Sequence, residues 1–368
     1  MKSMADILVL NNYPLDQVWD EVKRGEKPDH HLFGINYFAK RGHEVKIIPF
    51  QNSSQLQYLN RFLTRSHFPI PLGDLDQQWS TFRLLNKADL IYSPCQTQTH
   101  LLAYLRALGI IRVPIVALAY GFLNTGRLSW LRSPMMKLLF QGTDAFPCLS
   151  SKGAKEFNRI AGQSSKSQAL QWGPDASFYP ASSGLGQGVV AAGRTGRDFV
   201  TLGLAASRTN VPTHIVCLQD SVSEAFQTFG ENVKVSIQPN QEHMKYPQLL
   251  ELYARARVLA IPTVESSVVA LGITSLMDAL AMGKPVIMTR TPLIDLDIEA
   301  EGVGKWVNPG DIEGWSQAIQ FFHDHEDEAD AMGKRARRLV EAGINSESFA
   351  NQVMDIFDEV LTCASSGE

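Results

Sequence analysis

Short apolar runs of strand length alternate with stretches of helical periodicity along the whole chain, and no other feature limits the fold as tightly. In the first half, ADILVLN (5–11), HEVKIIPF (43–50), ADLIYSP (88–94) and VPIVALAYG (113–121) have the length and apolar content of buried strands. Between them, HLFGINYFAKRG (31–42) carries apolar residues at helical spacing and ends at Gly42, and THLLAYLRALG (99–109) does the same. The second half repeats the logic. GVVAAGR (188–194), THIVCLQ (213–219), VKVSIQ (233–238), RVLAIPT (257–263) and KPVIMT (284–289) are strand-like, with helices at 248–256 and 273–283. Such alternation builds parallel sheets covered by helices on both faces. At roughly 150 residues per domain, 368 residues make about two of them. The Pro-, Ser- and Gly-rich stretch PASSGLGQG (180–188) marks the expected boundary. This predicts an N-terminal domain over 1–180 and a C-terminal domain over 181–345. A last helix over 346–368 is expected to cross back to the first domain.

Composition excludes several classes. With 44% hydrophobic and 20% charged residues the chain is neither disordered, coiled-coil nor collagenous. The net charge of −4 conceals a split. Residues 1–180 hold 20 Lys and Arg against 13 Asp and Glu, whereas residues 181–368 hold 14 against 25. No acidic residue lies between Asp89 and Asp144, a stretch that carries Arg106, Arg112, Arg127, Arg132 and Lys137. Charge balance across a domain interface explains this; so does a surface that meets an anionic acceptor or an acidic membrane face. Nothing points to nucleic acid. The segment 121–140 offers the same pair of readings. Ser133 and Pro134 look like a helix cap and first turn. The apolar residues after them suit either core packing or an interfacial helix flanked by Arg127, Arg132 and Lys137.

Four cysteines without CxxC spacing suggest small buried side chains in a reducing compartment. The alternating His and carboxylates of 323–330 suit a solvated helix junction better than a metal site, and no metal is expected. The apolar run Ile7–Leu10 is too short for a signal-peptide core, and 101–123 is interrupted by Arg106 and Arg112. The expectation is a cytoplasmic chain, with peripheral contact on the inner membrane face left open.

The chemistry concentrates in 257–289. A strand ends at Ile261-Pro262-Thr263, a loop follows, and a helix starts near Ile273 and Thr274. The first turn of such a helix offers unpaired N–H groups and a positive dipole end, and Gly272 lets a ligand approach the backbone. The amides of Leu271, Gly272, Ile273 and Thr274 are therefore candidate phosphate donors. Gly193, Arg194 and Arg197 follow the first strand of the same half, at the same sheet edge. Two guanidinium groups beside a helix N-terminus make a diphosphate clamp.

The stretch ESSVVALGITSLMDALAMGKPVI (265–287) resembles the retaining, family-4 group of GT-B glycosyltransferases (glycosyl transferases group 1). It carries that group's order of acidic residue, glycine loop, second acidic residue and Ala-x-Ala-x-Gly-x-Pro-Val-Ile, although the last acidic residue is Asp rather than Glu. Supporting matches are KRGHEVKII (40–48), WGPDASFYP (172–180), Gly193-Arg194, LYARARVLAIPT (252–263) and GVGKWVNPGDIEGWSQAI (302–319). The resemblance implies an α/β fold of two Rossmann-like doubly wound domains facing a cleft. The implied activity is hexosyl transfer from a UDP- or GDP-type nucleotide-sugar to an acceptor hydroxyl, with retention and without metal or other cofactor. It gives Glu265 to the donor sugar's hydroxyls and Asp278 to the ribose. The family separates these two residues by eight positions; here they are thirteen apart, so the loop is longer.

The N-terminal half departs further. His30 and His31 stand where the family places a glycine-rich loop, and Tyr120 stands where it often places a histidine. These residues, and His100, are candidates on the acceptor side, with packing and capping as the ordinary alternative for each histidine. The acceptor is open, with an anionic or lipid-linked molecule among the candidates. Two other activities fit the same departures: a catalytically silent GT-B-like protein that binds sugar-nucleotides, and a GT-B sugar-nucleotide epimerase.

Overall fold

A computed structural model describes residues 4–50, 54–65, 71–119, 129–162, 166–180, 186–240, 244–266 and 269–366. The chain divides into two compact units. One is Met1–Arg24, Asp29–Trp172 and Ser346–Glu368; the other is Gly25–Pro28 and Gly173–Asn345.

The first unit is built on a parallel sheet of β1 (Asp6–Val9), β2 (Glu44–Ile47), β3 (Leu90–Ser93) and β4 (Ile115–Ala117), in the order β2-β1-β3-β4. Single parallel bridges Val116–Ala145, Ala119–Cys148 and Cys148–Ala169 carry the pairing beyond β4. Helices α1 (Leu15–Lys23), α2 (Ser54–Arg65), α3 (Leu75–Phe82), α4 (His100–Ala107), α5 (Ser129–Gly142) and α6 (Ser151–Ala161) connect these segments. Leu8, Ile91 and Ile115 of the sheet pack with Leu102, Leu139, Phe140 and Phe157 of the helices. Ile7, Val9, Leu90 and Tyr92, which alternate with them onto the opposite face, are buried too, so both sheet faces are covered as the apolar strand runs require.

Two local readings are corrected. The stretch 31–42 is not an α-helix but two 3₁₀ segments, Asp29–Leu32 and Ile35–Arg41, parted at Gly34. Gly34 has φ 86°, and a Cβ there would lie 2.9 Å from the Cβ of Ala350, so neither the turn nor the close approach admits a side chain. The stop at Gly42 holds, with φ 88°. In α5, Pro134 lies inside the helix rather than at its first turn, because the helix already begins at Ser129. Residues 121–128 of the proposed interfacial segment, with Arg127, lie outside the described residues, as does the side chain of Arg132. Met136, Leu139 and Phe140 are spent on the unit's own core, at 6%, 1% and 6% exposure.

The second unit holds six parallel strands in the order β10-β9-β8-β5-β6-β7. They are β5 (Val189–Ala192), β6 (Thr213–Leu218), β7 (Val233–Gln238), β8 (Val258–Ile261), β9 (Val286–Thr289) and β10 (Gly304–Val307). The last has no counterpart in the sequence reading. It is an edge strand whose Lys305 and Trp306 are half-buried, so it lacks an apolar run. Helices α7 (Phe199–Ala206), α8 (Tyr246–Ala254), α9 (Ile273–Ala281), α10 (Ile312–Asp324) and α11 (Glu326–Ala342) complete the unit. Its core gathers Ala191, Leu202, Ile215, Ala260, Ile287, Trp315 and Phe322. The His- and carboxylate-rich stretch 323–330 is a junction, where α10 ends at Asp324 and α11 starts at Glu326. Among the described residues no group of three or more His, Cys, Asp or Glu is placed to hold a metal ion, and no helix is long and apolar enough to cross a membrane.

Helix α12 (Ser346–Ser366) belongs to the first unit. Its Phe357 meets Phe38 and Tyr92 edge-on, with ring centroids 5.1 and 5.2 Å apart. Arg41, at the end of the 3₁₀ segment, donates to Asp355 at 2.6 Å and to Asn351 at 3.3 Å.

Candidate functional site

Strand order reverses in the second unit between β5 and β8, which pair directly although 65 residues separate Ala192 from Val258. In open parallel sheets, ligands bind outside the carboxyl ends of the strands at such a switch point. The loops that leave β5 and β8 here are the two that carry the candidate residues. They are zipped together by main-chain bonds: Val264 N donates to Gly196 O at 3.0 Å, and Asp198 N to Pro262 O at 3.1 Å. Arg197 and Thr263 form an antiparallel bridge. Arg197 thereby reaches the N-terminus of α9, and its Nη2 donates to Ser275 Oγ at 2.8 Å. Its Nη1 donates to Thr195 O at 3.1 Å.

Glycine is required where these loops crowd. A Cβ on Gly193 would stand 2.3 Å from Arg197 Nε, and one on Gly196 would stand 2.6 Å from Leu271 Cδ1. Gly272 has φ 83° and caps α9 without a side-chain bond. The first intrahelical bond runs from Leu276 N to Gly272 O at 2.9 Å, so the amides of Ile273, Thr274 and Ser275 precede the helical ladder. Leu271, Gly272, Ile273 and Thr274 are half-buried, and no side chain caps the helix. The Leu271 amide is already spent on the Val269 carbonyl at 2.8 Å, which leaves Gly272, Ile273 and Thr274 as the candidate donors.

The electrostatics of Arg197 set the character of this corner. The side chain is half-buried, and its Nε is buried with no hydrogen-bond partner. Burial pulls its pKa down, and a carboxylate would counter this, but no ion pair forms to it among the described residues. An uncompensated cation beside a helix N-terminus has the electrostatics that suit an anion.

The other predicted residues of this unit occupy different surroundings. Arg194 is exposed on the same loop. Glu265 is exposed just beyond β8. Asp278 is not open to solvent: it is 3% exposed on the inward side of α9, where the Tyr179 hydroxyl donates to its Oδ1. Burial pushes this carboxyl up to about 7, with Tyr179 drawing it part of the way back. Arg337 of α11 secures the same region, donating to Ala281 O at 2.7 Å and to Ala176 O at 3.0 Å. Tyr179 lies in the stretch 172–180 that already stood out in the sequence. Ser275 and Tyr253 lie in 265–287 and 252–263, but a buried hydroxyl leaves no mark on sequence periodicity.

In the first unit the switch point lies between β1 and β3. His30 is 1% exposed, with its ring 4.5 Å from that of His31 and edge-on to Trp172 at 5.2 Å. His31 is half-buried, and its carbonyl accepts from the Tyr13 hydroxyl at 2.6 Å. Phe33 takes φ 51°, rare for a residue with a side chain, and its carbonyl accepts from Tyr92 at 3.1 Å. His100 opens α4 at 1% exposure; burial lowers its pKa to about 4, so it is neutral near pH 7. Tyr120 lies outside the described residues.

Two units, each a parallel sheet with helices alongside, and an anion-type corner at the switch point of the second, define a GT-B chain with two Rossmann-like units. Residues 227–339 match the family model described as glycosyl transferases group 1, a span that includes Glu265, Gly272 and Asp278. No curated protein matches the chain by sequence. Among solved structures the chain is similar to HepE of Anabaena in complex with UDP and glucose, at TM-score 0.67 and 16% identity, covering 96% of this chain and 100% of that one. It is also similar to sucrose-phosphate synthase of Thermosynechococcus elongatus, at TM-score 0.67 and 14% identity over 98% and 100% of the two chains. A glycosyltransferase of Rickettsia africae gives TM-score 0.64 and 13% identity over 98% and 99%. The similarity to glycosyl transferases group 1 thus rests on sequence over 227–339. The GT-B fold rests on structure over nearly the whole chain.

Proposed function

We propose that this chain is a glycosyltransferase that binds a nucleoside-diphosphate sugar on its second unit and moves the sugar to an acceptor hydroxyl. The observation that carries this reading is the carboxylate-free Arg197 guanidinium beside the uncapped N-terminus of α9. Breaking the bond from the anomeric carbon to the diphosphate leaves negative charge on the leaving group. Arg197, Arg194 and the amides of Gly272, Ile273 and Thr274 would hold that charge without metal. Retention follows in this proposal from the leaving phosphate accepting the acceptor's proton on the face it departs from. Glu265 is the candidate for the sugar hydroxyls. The burial of Asp278 leaves ribose recognition to groups nearer the α9 N-terminus, with Asp278 behind them. UDP is the first nucleotide to test, because HepE was solved with UDP and UDP-glucose.

The test is release of UDP from UDP-glucose, with and without an acceptor panel and in the presence of a chelator. Wild-type turnover is expected to survive chelation, and Arg197→Ala to lower it by a factor on the order of 10² or more. Undiminished turnover in Arg197→Ala would remove the clamp. UDP binding with no turnover over any panel would favour the silent sugar-nucleotide binder. An isomerised donor in place of a new glycoside would favour an epimerase.

A further inference from the structure

Arg197 is held by neutral groups, and this is an unusual way to hold a half-buried cation. Its Nη2 donates to Ser275 Oγ at 2.8 Å, and its Nη1 to the Thr195 carbonyl at 3.1 Å. Ser275, in the first turn of α9, is 9% exposed. Behind it stands Tyr253 of α8, a phenol 3% exposed that interacts with both Ser275 and Arg197. Burial keeps the Tyr253 phenol protonated far above neutral pH. A hydroxyl can fix the direction of a guanidinium without cancelling its charge, whereas a carboxylate in the same place would neutralise it. The Gly193 backbone closes the remaining side, since any Cβ there would strike Arg197 Nε.

We infer that Ser275 and Tyr253 are positioning residues that aim the Arg197 guanidinium at the diphosphate of the donor and leave its charge free for it. Ser275 Oγ accepts from Arg197, and the neutral Tyr253 phenol behind it keeps the serine hydroxyl in place, so the arginine, serine and tyrosine act as one unit. This rests on the donor-site reading above, and the two can fail separately.

The experiment is calorimetric titration of the full chain with UDP and, at higher concentration, with uridine, which lacks the phosphates. The variants are Ser275→Ala, Ser275→Thr, Tyr253→Phe, Arg197→Ala and the double variant Arg197→Ala/Ser275→Ala, each checked for wild-type melting. Ser275→Ala is expected to weaken UDP about 10-fold, the scale of a hydrogen bond to a charged group, and to leave uridine unchanged. Tyr253→Phe should weaken UDP less, and Ser275→Thr should restore it. The double variant should bind UDP no more weakly than Arg197→Ala alone, because a serine that acts only through the arginine has nothing further to lose. If Ser275→Ala and Tyr253→Phe bind UDP like the wild type while Arg197→Ala does not, the positioning role is overturned and the donor site stands. Equal losses for UDP and uridine also overturn it, since they mark general damage to the fold. Wild-type UDP binding by Arg197→Ala, or no UDP binding by the wild type, removes the donor site itself.

Discussion

Asp278 shows how far a side chain's surroundings can move its chemistry. In the unfolded chain a carboxyl titrates near pH 4; buried beside Tyr179 it titrates near 7. The folded state therefore holds a proton that the unfolded state has lost between these values. The contribution of this group to stability is complete below about pH 4, declines as pH rises toward about 7, and is flat beyond. Asp278→Asn removes the titration and keeps an acceptor for Tyr179. Its melting temperature relative to the wild type is expected to rise between pH 5 and pH 8, as thermal unfolding at both values would show. A pH-independent difference would mean that the carboxyl titrates normally. Gly272 makes a second claim at this size. With φ 83° and Ile261 Cγ2 2.6 Å from any Cβ, Gly272→Ala is expected to cost about 1–3 kcal/mol and to weaken UDP binding, read by denaturant melts and titration.

Helix ends and joints account for much of what holds each unit in shape. Helix α6 starts at a Ser150 cap whose Oγ accepts from Gly153 N at 3.0 Å, and it ends at Gly162 with φ 65°. Ser150→Ala is expected to destabilise the first unit by about 1 kcal/mol in denaturant melts. The segment 29–41 is harder to infer from sequence alone. Its helical apolar spacing is present, but Gly34 interrupts the ladder so that α12 can lie against it. The periodicity is local, whereas the partner is about 310 residues away, which is why an α-helix is the natural reading and two 3₁₀ segments the outcome. The same holds for Arg41, whose bonds to Asn351 and Asp355 no local pattern announces.

Each of the two units has its own core, and α12 joins the chain's end to the core of the unit that contains its beginning. Phe357 fills a space between Phe38 and Tyr92 at under 1% exposure. Phe357→Ala is expected to cost about 3–5 kcal/mol and to lower the melting transition of the first unit, with UDP binding by the second unit retained at temperatures where both are folded. A joint loss of both would show that the units do not unfold separately. The charge split is also a property of the chain's halves. An acidic second half is compatible with the proposed donor site, because a phosphate needs one uncompensated arginine and a helix end rather than a basic unit.

Local order determined much of this protein before any contact was known. Nine of the ten strands among the described residues, the helix after Gly272, the stop at Gly42 and the run from Glu265 to Ile287 follow from apolar periodicity and from glycine placed where φ turns positive. These depend on neighbours within a few positions, which a sequence displays directly. Three things were decided only by tertiary structure. Arg197 meets Ser275, 78 positions on, because β5 pairs with β8. Asp278 turns inward to Tyr179, 99 positions away, although its place in the motif suggests a ligand-facing role. The apolar face of α5 enters the core. The physical reason is common to all three. Which groups share a buried space, and hence what charge each can carry, depends on contacts between segments far apart in the chain, and periodicity is silent about those.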